Sequence, residues 1–193
     1  MRRAALLLGL VLLPLAWAAP GGGMTGHMIG HMLAVAVAAP LIAWGLGGGR
    51  FDPARRWPGL VDPLGMSLLE LGVVWAWHLP ALRGLAHASI VATAVEQAMF
   101  LVAGLLLWAA VLGAGEARRM AGVGALLLTS MHMTLLGALV TLAPRPLYAM
   151  AGHGADPLGD QQLAGVAMLV IGGGSYLFGG LAMLRTVLRE ERA

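Results

Sequence analysis

His27 and His31 stand four residues apart in the stretch MTGHMIGHML, with Met24, Met28 and Met32 interleaved among them. On a helix, residues four apart share a face, with Cβ atoms about 5–6 Å apart. Two imidazoles at that spacing can share one metal ion. Imidazole beside thioether is a soft donor set that favours Cu(I), whereas magnesium and calcium look for oxygen ligands. The bland reading of the same stretch is an interfacial helix whose histidines are hydrogen-bonded and whose methionines fill gaps, as methionine commonly does. The chain has no cysteine, so thiolate sites and disulfides are excluded, and any metal falls to His, Met, carboxylate or backbone.

A second histidine sits deeper. MHM, residues 131–133, lies inside a long apolar run. Successive helical residues diverge by roughly 100°, so at most one of Met131 and Met133 accompanies His132 on an inward face. At 1.5 Å rise per residue, His132 lies roughly 16 Å from the end of its run near Pro144. Glu96, in TAVEQAMF, lies at a similar depth in the preceding run. Ionisable groups in hydrocarbon are costly and are usually paired, so Glu96 and His132 are expected to meet, either as a ligand site or as a clasp between helices. Glu70 is likewise near mid-run and is either structural or part of the same polar core.

His78 closes one apolar run, His87 opens the next, and His153 lies in a later connector. Together with the first pair they imply one polar cluster opening to one face. GDQQLAGVAM, residues 159–168, adds Asp160, placed as a helix N-cap. Gln161 and Gln162 follow it, for hydrogen bonds to a loop or a partner. The candidate metal residues are His27, Met28, His31, His78, Met131, His132 and Met133, with Glu96, Asp160 and Gln161 as supporting polar groups.

These residues must be positioned by membrane helices. The chain has 193 residues, 59% hydrophobic and 11% charged, with a mean hydropathy of +0.83. Soluble domains carry about 25% charged residues. Its opening, MRRAALLLGLVLLPLAWAAP, combines Arg2 and Arg3, an apolar stretch and a small-residue site at Ala18. That is the outline of a signal peptide over 1–18; the alternative is a retained first helix. Apolar spans follow at 26–47, 63–81, 87–112, 120–143 and 161–184, each near the ~20 residues a bilayer needs. Connectors rich in Pro, Gly and charge separate them. The expectation is an all-α, polytopic membrane helical bundle, residues 19–193 forming one domain. It has five transmembrane helices after a signal peptide, or six if the N-terminal segment is retained.

All of the chain's basic charge is arginine, and it is distributed unevenly. Arg2, Arg3, Arg50, Arg55, Arg56, Arg118, Arg119, Arg185, Arg189 and Arg192 fall on one side of this topology, and Arg83 and Arg145 on the other. The positive-inside rule then places the mature N-terminus in the periplasm and the C-terminus in the cytoplasm. Read this way the basic balance, with a pI near 10.6, is a topology signal and not a sign of nucleic-acid binding. Trp44, Trp57 and Trp108 are expected at the inner interface, Trp75 and Trp77 at the outer one. Pro40 is expected to kink the first mature span below the histidine pair, and Gly172, Gly173 and Gly174 to keep the last span slim.

In order along the chain, HMIGHMLAVAVAAPLIAWG, WHLPAL, VEQAMFLVAGLLLW, MHMTLLGALVTLAPRPLY and DQQLAGVAM resemble the CtaG family of cytochrome c oxidase assembly factors, over roughly residues 24–184. Gln97 follows Glu96 where the family often carries histidine, so no imidazole ligand is implied there. The resemblance implies a bacterial inner-membrane protein, not an enzyme, that supports maturation of a haem–copper oxidase, with copper passed to the oxidase subunit carrying the copper centre. A periplasmic copper chaperone would be a second partner. Two other readings of the histidines stand beside it: a haem-binding electron carrier of the cytochrome b kind, with His31 and His132 as axial ligands, and a copper permease.

Overall fold

The computed structural model describes residues 1–18, 23–148 and 156–190, and every regular element among them is helical. In chain order these are α1 (Arg2–Ala18), α2 (Met24–Leu46), α3 (Pro53–Arg56), α4 (Pro63–Trp77), α5 (Pro80–Ala88), α6 (Ile90–Leu112), α7 (Glu116–Thr141) and α8 (Pro157–Glu190).

Helix starts follow a local code. Asp52–Pro53, Asp62–Pro63 and Asp156–Pro157 open α3, α4 and α8. In each, the aspartate side chain accepts a backbone N–H two or three residues on and proline takes the first helical position. This satisfies a donor the helix leaves orphaned and sets φ in advance. Ser89 opens α6 in the same manner, accepting from the Ala92 N–H. Gly48, at φ +73°, makes the turn that ends α2, with its N–H donated to Asp52.

Four helices, α2, α6, α7 and α8, are long and apolar enough to cross a membrane. The second expected span, 63–81, is represented by α4, an apolar helix of 15 residues, spanning about 22 Å at 1.5 Å per residue, short of a ~30 Å hydrocarbon core. The third expected span, 87–112, starts later than expected: His87 and Ala88 close the separate amphipathic helix α5, which forms where a connector was expected, and the long helix begins only at Ile90.

Packing closes the helices into a ring. α2 lies against α6, α6 against α4, α4 against α7, α7 against α8, and α8 against α2. α1 stands outside the ring, antiparallel to α2, where Gly9 and Gly45 permit close approach. A Cβ on Gly9 would lie 2.7 Å from Ile42, and one on Gly45 2.6 Å from Leu6. α7 and α8 touch through glycine as well, a Cβ on Gly165 falling 2.6 Å from the Gly137 carbonyl. Gly172 and Gly173 are buried in contacts of this kind, but a Cβ on Gly174 would meet only Phe178 at 4.0 Å, so Gly174 is not needed for packing.

Pro40 acts differently from the expected simple kink. It lacks the N–H and crowds the carbonyl four residues back, and the turn before it widens to π-type geometry over Leu33–Ala38. A second π-type turn, Met168–Gly173, interrupts α8. The arginines gather at one end of the ring: Arg2 reaches the Gly47 carbonyl, Arg55 that of Gly48, Arg118 that of Pro58, and Arg119 pairs with Glu190. Trp108 departs from the expected belt. It is buried and stacks on Tyr176 with ring centroids 5.5 Å apart.

Candidate metal centre

At the opposite end of the ring α2, α5 and α6 converge. The four-residue spacing on α2 brings the Nε2 atoms of His27 and His31 to 2.7 Å from each other, the rings edge to face. α5 is short and amphipathic, and it buries its Arg83. α6 contributes Glu96 from its second turn. Arg83 Nη1 lies 2.7 Å from both Glu96 oxygens and 2.8 Å from His27 Nε2. Glu96 Oε1 is 3.6 Å from His27 and 3.8 Å from His31. One ligand atom each from His27, His31 and Glu96 falls within 4.8 Å of the others.

The hydrogen bonding here is overcommitted. Arg83 Nη1 carries two hydrogens and faces three acceptors, and, with the His31 proton on Nε2, His27 Nε2, the acceptor for Arg83, is also that proton's sole hydrogen-bond partner among the described residues. Two donors therefore compete for one lone pair. His31 is fully buried, with its Nδ1 unpartnered and its ring 4.2 Å from that of Phe100. Moving both ring protons to Nδ1 would relieve the conflict by presenting two lone pairs to one ion. Arg83 balances Glu96, so the site carries no net negative charge. A monovalent ion is cheaper to hold there than a divalent one, and the imidazole pair suits Cu(I).

His78, just past the end of α4, touches the same Phe100 from 6.1 Å. Its Nδ1–H donates to the Val74 carbonyl at 2.7 Å, leaving Nε2 as a buried lone pair without a partner. A neutral imidazole held in this way by its Nδ1–H offers Nε2 as a ligand atom. Tyr148 donates its hydroxyl to the His78 carbonyl. Burial raises the phenol to about 12, against the lowering pull of Arg83.

The other expected residues are dispersed. Glu96 does not meet His132: it faces α2 and α5, while both ring nitrogens of His132 are buried without a hydrogen-bond partner. A similar counted depth did not bring them together, because Glu96 is turned to Arg83 and the histidine pair. Met131 is 68% exposed on the outside of α7, whereas Met133 is wholly buried. Met28 is also wholly buried in the main core.

Asp160 is not the N-cap of its own helix, which starts four residues earlier at Asp156. It crosses instead to α2, accepting from the Met24 and Thr25 N–H groups at 2.6 and 3.1 Å, while the Thr25 hydroxyl donates to its carbonyl. A carboxylate there satisfies orphan donors and opposes the positive end of the helix dipole, steadying the turn that carries His27. Gln161 is buried and holds the connector, accepting from Leu147 N–H and donating to the Val140 carbonyl. Gln162 is exposed and so is His87, which stays outside the cluster. His153 lies outside the described residues. Glu70 forms a separate buried pair, accepting from the Tyr176 hydroxyl at 2.5 Å. Arg83 was not expected at the site. Its one signal was being an arginine on the arginine-poor side.

The fold and this site together define a polytopic helical membrane protein with a buried His–His–Glu–Arg cluster at one end. The family model described as cytochrome c oxidase caa3 assembly factor (Caa3_CtaG) matches residues 1–190, and the chain belongs to that family. No curated protein and no solved structure matches the chain.

Proposed function

We propose that this assembly factor handles copper as cargo: it takes up Cu(I) at His27 and His31, with Glu96 beside them, and passes it to the oxidase subunit that carries the copper centre. The observation supporting this is the facing pair of Nε2 atoms at 2.7 Å, closed in by a charge-balanced carboxylate and guanidinium. His78, with its free Nε2, is the next imidazole along the path. Met28 and Met133 supply thioethers in the core behind the pair. The arginine-poor end of the ring faces the periplasm in this reading, so a periplasmic copper chaperone can reach it. The protein resides in the inner membrane and catalyses no covalent step. Haem would need His31 and His132 as opposed axial ligands, whereas His31 Nε2 is turned to His27 Nε2 at 2.7 Å, which favours an ion.

His132 takes no part at the outer site and serves at hand-over. Cells lacking the protein should make oxidase with haem present and its copper depleted, and His27→Ala/His31→Ala should reproduce the defect. Purified protein should bind Cu(I) against a competing chelator, and the double variant should lose that binding at least about tenfold, as removing even outer-sphere support does. Oxidase with full copper in the deletion strain would overturn the proposal.

A further inference from the structure

Sulfur fills the space between α2, α7 and α8. Met24, Met28 and Met32 on α2, Met133 on α7 and Met168 on α8 are each at most 1% exposed and share one core. Leucine would pack as well. Yet among the largest fully buried side chains of the described residues these five methionines outnumber the leucines, Leu107 and Leu126.

Gly172 marks where two of the sulfurs converge. A Cβ built on Gly172 would lie 2.8 Å from Met32 Sδ and 3.7 Å from Met133 Sδ. The glycine therefore leaves room for both thioethers where any larger residue would displace Met32. The backbone around this point is also unusual. The π-type turn of α2 begins at the residue after Met32, and that of α8 runs from Met168 past Gly172. The two turns lie against each other. Single π-type turns within helices concentrate at functional sites. Pro40 accounts for the first, but α8 has no proline inside it to account for the second.

We infer that Met32 and Met133, converging at Gly172, form a second soft-metal station inward of the histidine pair, one that takes Cu(I) from it. The inference rests on the copper reading above. Met32 directly follows His31 on α2, so the ion moves about one residue's rise inward and roughly 100° around the helix, from the side facing α6 to the side facing α8. Thioethers are neutral and need no deprotonation, so they hold Cu(I) by softness and not by charge. Such a station is weaker than the imidazole pair and releases its ion readily.

The test is Cu(I) stoichiometry on the full chain in detergent, with selenium-edge X-ray absorption on selenomethionine protein. The wild type should bind about two ions and show a selenium–copper shell. Met32→Leu/Met133→Leu keeps side-chain volume and should remove one ion and the shell, leaving the other ion in place. His27→Ala/His31→Ala should retain one ion and the shell. A wild type that binds copper without any selenium–copper shell overturns the station whatever the variants do, and leaves the histidine site standing if His27→Ala/His31→Ala abolishes binding. Binding lost only in the leucine variant, with the shell present in wild type, upholds the station and refutes the histidine site. No Cu(I) binding at all overturns both.

Discussion

The buried Arg83–Glu96 pair decides how the site responds to substitution. Both partners are at most 5% exposed, and removing one charge strands the other where no water can solvate it. Loss of one member of such a pair costs about 3–5 kcal/mol. Glu96→Gln is therefore expected to lower the thermal midpoint by on the order of 10 °C, through Arg83 and independently of any metal. Arg83→Met/Glu96→Gln, which removes both charges, should recover most of that loss. Thermal melts of the two variants without copper check this. A Glu96→Gln protein as stable as wild type would show that the pair is solvated. Delivery defects in Glu96→Gln should accordingly be compared with the double variant and not with wild type.

At the scale of elements, two contacts steady α2. Asp160 caps its first turn from α8, and α1 covers its far half. Asp160→Ala leaves the Met24 and Thr25 N–H groups without their carboxylate, a loss of about 1–2 kcal/mol for a cap. Hydrogen exchange should speed up over residues 24–28 while the core of α7 is unaffected. Equal exchange in both proteins would show that the cap carries no weight. α1 presents Ala5, Gly9, Leu13 and Ala16 to α2 as one buried stripe. A segment so fitted is expected to be kept after insertion. Intact mass of the purified protein should correspond to a chain beginning at or near Met1, and Gly9→Leu should destabilise it by clashing with Ile42. A mass beginning at Ala19 would show that the stripe serves only before cleavage.

Across the whole molecule, the ring separates an end rich in arginine from the end that holds His27, His31, Arg83 and Glu96. Gly47, Gly48, Pro58, Arg119 and Glu190 are tied together at the first by arginine contacts. The positive-inside rule predicts that this end faces the cytoplasm. Reporters fused after Gly48 and Gly115 should read cytoplasmic, and one after Arg83 periplasmic. A cytoplasmic reading at Arg83 would turn the histidine site away from any periplasmic copper donor.

Much of this was legible from local chemistry. Apolar run length gives membrane helices, since backbone groups in lipid must bond within their own segment. The four-residue spacing puts His27 and His31 on one face. The order of motifs along the chain was enough to indicate the family that the match over residues 1–190 shows. Tertiary structure decided what depends on which helix faces which. Depth along a helix is estimated by counting residues, but azimuth around the ring is not, so the similar counted depth of Glu96 and His132 did not bring them together. Arg83 reads as an exception to a charge rule until α5 folds it onto Glu96. Asp160 has the composition of a cap, but only the juxtaposition of α8 with α2 shows whose N–H groups it satisfies.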